Sequence, residues 1–185
     1  MDAMTRTTTP YDSNSVVQFW RDAGESRWFS ADPAFDDQFR QRFIGYHLAA
    51  AARKLDSWSE SAPSSLALIL LLDQFPRNAF RNTAHMFATD PLARLFASKA
   101  LEQGFDVEME SKLRKFFYLP FMHSEVLADQ ERSVALFREL GETKYVDVHY
   151  DLIRRFGRFP HRNLALARRT TPEEQAFLDA GGFSG

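Results

Sequence analysis

Apolar residues recur along this chain at intervals of three and four, the spacing that gathers them on one face of an α-helix. Ser13 to Ala23 carries Val16, Val17, Phe19 and Trp20 in that pattern, and Gly24 stops it. Asp32-Pro33 opens a longer helix, an N-cap followed by proline at the first helical position. It is expected to run to about Leu55, with Phe35, Phe39, Phe43, Tyr46 and Ala50 on one face. Ser61 to Ser65 reads as a short linker. Leu66 to Phe75 is apolar all round, so that helix should be central. Further helices are predicted from Asp90-Pro91 to Gly104, over Lys112–Leu119, over Val126–Leu140, and over Tyr145–Phe156 before Gly157. Thr171-Pro172-Glu173-Glu174 opens a last short one, with acidic residues at the positive end of its dipole. No segment shows the strict alternation of a half-buried strand, and no Asn-Gly or Asp-Gly hairpin turn occurs. The expected fold is all-α, with about eight or nine helices in antiparallel pairs joined by short connections. Residues 1–12 read as a disordered leader and 13–185 as a single all-helical domain.

Composition narrows the classes of function. The chain has 185 residues and 18 phenylalanines, so its core is built from large flat side chains. A net charge of −2 argues against a nucleic-acid partner, which calls for a strongly basic face. The absence of cysteine removes disulfides and thiolate metal sites. No apolar run is long enough to span a bilayer, and no signal-peptide core precedes the first helix, so no membrane partner and a cytoplasmic location are expected.

Three places bear the chemistry, each where an apolar run meets a proline. The first is Leu72-Asp73-Gln74-Phe75-Pro76-Arg77-Asn78, with Arg81 one turn beyond Arg77. Asp73 follows five aliphatic residues, and a carboxylate there requires a partner. Arg77 is the nearest, and an ion pair that fixes the bend at Pro76 is the plain structural reading. The second is Leu119-Pro120-Phe121-Met122-His123-Ser124-Glu125. Ser124 suits the cap of the following helix and Glu125 its first turn; His123 is left over, and a lone histidine near Phe117, Tyr118 and Phe121 is more often a hydrogen-bonded core residue than a catalyst. The third is Phe156 to Asn163, where Gly157 and Pro160 stiffen a loop carrying Arg158, His161, Arg162 and Asn163. Guanidinium forks beside a histidine suit a carboxylate or phosphate.

If the three blocks converge, Asp73, His123 and His161 are the candidate catalytic groups. Gln74, Arg77, Asn78, Arg81, Ser124, Glu125, Arg158, Arg162 and Asn163 are then the candidates for holding a small anionic ligand. A divalent metal held by Asp73, His123, Glu125 and His161 ranks below this, since the five histidines lie far apart in sequence and arginines surround the set. No cofactor is indicated. The alternative is a helical scaffold for a peptide or partner protein, in which the polar blocks are struts and an exposed groove carries Trp28, Trp58 and Tyr11.

The same blocks, with Phe80-Arg81, Phe87-Ala88-Thr89-Asp90, the Phe19-Trp20 and Trp28-Phe29 pairs and the Thr171-Pro172-Glu173-Glu174 end, resemble an uncharacterised bacterial family, domain of unknown function 924. The resemblance runs from about Val16 to Leu178. It implies a fold similar to tetratricopeptide-type helical superhelices, and it assigns no activity. One departure stands out. Where the family tends to have Leu-Gly-Arg, this chain reads Leu166-Ala167-Arg168, and alanine does not favour a positive-φ turn.

Overall fold

The computed structural model describes residues 11–183. Among these residues no strand occurs. Ten α-helical segments follow one another: α1 Ser13–Ala23, α2 Glu25–Trp28, α3 Pro33–Ala51, α4 Ala62–Leu72, α5 Gln74–Ala79, α6 Asp90–Glu102, α7 Ser111–Met122, α8 Leu127–Glu139, α9 Lys144–Phe156 and α10 Pro172–Asp179. Single 3-10 turns lie at Asp56–Glu60, Ala84–Phe87 and Pro160–Arg162. Since α2 is one turn only, nine described helices exceed a turn, in line with the pattern in the sequence. Most of the expected leader falls outside the described residues. Its last two are in place: Asp12 caps α1 by accepting from Asn14 N–H, and Tyr11 packs edge-on to Tyr46.

Helix α4 is the axis. Leu66 through Leu72 are fully buried, and α1, α3, α5, α6 and α7 all pack on this helix. The core on one side is a continuous set of rings: Trp20, Phe35, Phe39, Phe43, Phe75 and Phe116 meet at centroid distances of 5.0 to 6.1 Å. Trp28 belongs to this core, not to an exposed groove. It is 3% exposed, and its indole N–H donates to Trp20 O at 2.7 Å. From α6 to α9 each helix packs on the next in the chain, and α10 packs on the turn Pro160–Arg162.

Several boundaries differ from the sequence pattern for identifiable reasons. The stretch expected to be a linker, Ser61–Ser65, is the start of α4, because Pro63 sits in the first turn, where its missing N–H costs nothing. Helix α4 ends at Leu72 and α5 begins at once, with Pro76 again in a first turn. Asp73 is therefore the single residue between two helices. Helix α7 runs through Pro120 to Met122. Its last carbonyls are taken up by the fully buried Gln130, whose amide donates to Met122 O at 2.7 Å and to Ser124 O at 2.6 Å. Ala167 does adopt a positive φ of 51°. Such a turn costs alanine about 1–2 kcal/mol, and the backbone bond from Arg168 N–H to Asn163 O, 2.8 Å, holds it.

Candidate functional site

Asp73 is the centre of the polar constellation. At the α4–α5 junction its side chain is 1% exposed and cannot be left alone. Gln74 Nε2 donates to Oδ2 at 2.6 Å, His123 Nδ1 donates to Oδ1 at 2.8 Å, and Arg77 Nη1 lies 3.3 Å from Oδ1. Burial works against ionisation of the carboxyl, and Arg77, His123 and Gln74 overcome it, so it stays charged below the ordinary carboxylate range. Arg77 forks onto Asp90 at 2.9 and 3.1 Å and also donates to Asp73 O at 2.7 Å. Thr89, just ahead of Asp90, donates to Leu72 O at 2.6 Å. The carbonyls at the end of α4 are thus taken up by Arg77 and Thr89.

His123 is the C-cap residue of α7, pinned by its backbone N–H to Leu119 O at 2.9 Å. With Nδ1 committed as donor to Asp73, its Nε2 carries the lone pair and has no hydrogen-bond partner among the described residues. Burial and the facing Arg77 lower its pKa, so the ring is neutral near pH 7.

The loop after α9 completes the group. Gly157 takes the left-handed conformation, φ 68°, that ends the helix, and the turn Pro160–Arg162 aims two side chains inward. Arg162 is 6% exposed. Its Nη1 donates to His123 O at 3.0 Å and lies 3.6 Å from Asp90. The guanidinium is stacked between Phe159 at 4.3 Å and Phe87 at 4.6 Å. Its Nε is buried with no partner, and so is Nδ1 of His161. Burial and the facing Arg77 pull the Arg162 pKa down to about 10, which leaves it cationic at neutral pH.

The structure therefore brings Asp73, Gln74, Arg77, His123 and Arg162 into one connected cluster, and it adds Asp90. The other predicted residues go elsewhere. Asn78 and Arg81 both donate to Asp36, at 2.6 Å each. Ser124 donates to Asp129 at 2.6 Å and accepts from Val126 N–H. Glu125 is not in the first turn of α8. It grips Arg168 at 2.7 and 3.0 Å and accepts from Phe159 N–H at 2.8 Å. Arg158 pairs with Glu174, and Asn163 bridges Arg168 to Glu174. Among the described residues no three His, Asp or Glu side chains are arranged to hold a metal ion. A groove of about 550 Å³ lies on another face, lined by Gln18, Arg21, Arg42 and Met109 among others, and it takes none of the predicted residues.

Two members of the site were not legible as such. Asp90 reads as a helix start, yet Thr89 before it is also a capping type, so the pair Thr89-Asp90 offered one side chain more than a cap needs. His149 sits on α9 at helical spacing and carries no local signal. Its ring centroid lies 6.4 Å from that of His123.

The model of a bacterial protein family of unknown function, DUF924, matches residues 16–182. The chain belongs to the DUF924 family. A DUF924-like fold is also found in a solved structure titled as a protein of unknown function, ATU0120, from Agrobacterium tumefaciens. That chain is 54% identical, with a TM-score of 0.90, over 91% of this chain and 97% of that one. Comparison with curated proteins finds no match. The described residues of this DUF924 chain are helical without a strand, and no described helix is long and apolar enough to cross a membrane.

Proposed function

We propose that the Asp73–His123–Arg162 cluster binds a small ligand bearing a carboxylate or phosphate, with His123 as the proton acceptor. The observation that carries this reading is Arg162. A buried guanidinium normally uses its donors, because each unpaired one forfeits the hydration it left behind. Arg162 keeps Nε unpaired while two aromatic rings hold it rigid. Beside it, the Nδ1 of His161 is equally unused. A guanidinium donor fixed in place with nothing to bind is suited to an incoming acceptor.

The dyad supplies the chemistry. Asp73 is saturated on both oxygens, so it orients rather than reacts. It fixes the His123 tautomer with the lone pair on Nε2, and a neutral imidazole so held is a general base. The Arg77 and His123 side chains are each 12% exposed, which gives solvent access to the rim of the cluster.

A second reading treats the polar blocks as struts of a helical scaffold. Complete partnering favours it for Glu125, Arg158 and Asn163. Arg162, stacked on two rings with its Nε unpartnered among the described residues, is the residue that favours the first reading.

Thermal melting in acetate, phosphate and sulfate tests the proposal. A ligand at 100 times its dissociation constant stabilises the native state by about 2.7 kcal/mol. At least one of these anions is expected to raise the wild-type Tm and to lose that effect in Arg162→Gln and Arg162→Lys. Lysine keeps the charge and loses the fork. Equal shifts in wild type and both variants, or none in the wild type, would overturn the reading.

A further inference from the structure

His149 and His161 pack against aromatic rings. Phe183, two residues beyond the turn at Gly181, lays its ring against His149 at 4.8 Å and against His161 at 5.4 Å, edge-on to both. Phe159 closes the third side, 5.4 Å from His149 and 5.6 Å from His161. The Phe159 ring is the one stacked on Arg162. One benzyl group thus fills a slot walled by three rings, and the unpaired guanidinium nitrogen belongs to the residue next in the chain to His161.

The segment that delivers Phe183 is attached lightly. Gly181 has φ 75°, and Gly182 N–H donates to Phe177 O at 3.1 Å. No other hydrogen bond holds Gly182 or Phe183 among the described residues. Gly182 lies flat on the Phe177 ring, where an added Cβ would come within 2.4 Å of its atoms. The slot, in contrast, is built on firm elements. His149 Nδ1 donates to Tyr145 O at 2.7 Å, and Phe159 is fully buried.

We infer that Phe183 is an intramolecular plug, and that the slot it fills is the subsite for an aromatic ring of the ligand, which makes the ligand class an aryl carboxylate. The anionic half of that class rests on the function proposed above; the ring half rests on the slot alone. The ligand ring replaces Phe183, its carboxylate meets the free donor of Arg162, and the tail swings out about Gly181. Apparent affinity is then the intrinsic affinity reduced by the fraction of molecules whose slot is open.

The test compares wild type with Phe183→Ala and Gly182→Ala, with Phe183→Ala/Arg162→Gln as the control for the anion. The first removes the plug; the second keeps the ring and disturbs its seat on Phe177. Binding of benzyl alcohol, acetate and 3-phenylpropionate is measured by calorimetry, and the His149 and His161 ring signals are followed by NMR. In both variants the two imidazole signals are expected to move. Benzyl alcohol and 3-phenylpropionate are expected to bind Phe183→Ala at least tenfold more tightly than wild type, as follows if about a tenth of wild-type molecules are open. Acetate should change less than twofold. If imidazole signals in Phe183→Ala stay where they are in wild type, Phe183 does not occupy the slot and the inference fails. Should they move while neither aryl probe gains, the slot is packing and not a subsite, and the inference fails again. If benzyl alcohol gains but neither acetate nor 3-phenylpropionate depends on Arg162, the plug and ring subsite stand and the anion reading falls.

Discussion

Two polar networks in this protein use the same parts and end differently. Around Glu125 and Glu174, carboxylates meet Arg158, Arg168 and Asn163, and every carboxylate oxygen and amide atom finds a partner. Around Asp73 and Asp90, carboxylates meet Arg77, Arg162 and His123, and capacity is left over at Arg162 Nε and His123 Nε2. Both hold nearly closed members: Glu174 and Asn163 are 2% and 1% exposed in the first, Asp73 and Asp90 1% and 6% in the second. Burial asks completeness of both, and only the first meets it. That difference separates a strut from a candidate site, and counting charges would not have revealed it.

The comparison can be broken at several points. Asp73→Ala leaves Arg77 without its i,i+4 partner in a closed environment and is expected to cost about 3–5 kcal/mol in urea unfolding. A loss below 1 kcal/mol would mean that Asp73 is not the keystone of the network. Acid should strain the same side. His161 and His149, desolvated by burial with Arg162 also facing them, keep folded pKa values of about 4 and about 3, against an ordinary 6.5. The unfolded chain takes up protons at these rings below about pH 6.5 and the folded chain does not. Stability therefore falls as pH drops from 6.5 toward 4, by about 1.4 kcal/mol per pH unit for each ring. Melting curves should show that slope, and it should flatten in His149→Gln.

Glu125→Ala sharpens the contrast. It removes a bidentate pair and a backbone acceptor and is expected to cost about 1.5–3 kcal/mol. The rise in Tm produced by anions should survive in this variant. If the rise vanishes with Glu125 as it does with Arg162, the two networks are one site and the distinction is lost. The smallest effect belongs to Arg158→Ala, since the Arg158 side chain is 28% exposed and its charge is screened by solvent. Chemical denaturation against wild type measures it.

The sequence by itself determined the helices and the polar blocks. Spacing by three and four placed Phe35, Phe39 and Phe43 on one buried face, and the apolar run before Asp73 marked the central helix. Thr171-Pro172-Glu173-Glu174 announced the start of α10, where Thr171 and Glu174 form a capping box. These are local facts, set by which side chains share a face within a few turns. The blocks also named Asp73, Arg77, His123 and Arg162, because a charge inside an apolar run requires an answer somewhere. Which answer was beyond reach of the sequence. Pro76 and Pro120 could end a helix or sit harmlessly in one, and only the packing of Gln130 under α7 and the immediate start of α5 decided it. Whether Glu125 or Asp90 would take the neighbouring guanidiniums depended on distances across segments tens of residues apart. The same holds for His149 and Phe183, which meet over the site through the placement of α9 and the tail. Long-range contacts settle which donors are used and which stay free, and a one-dimensional pattern carries no record of that.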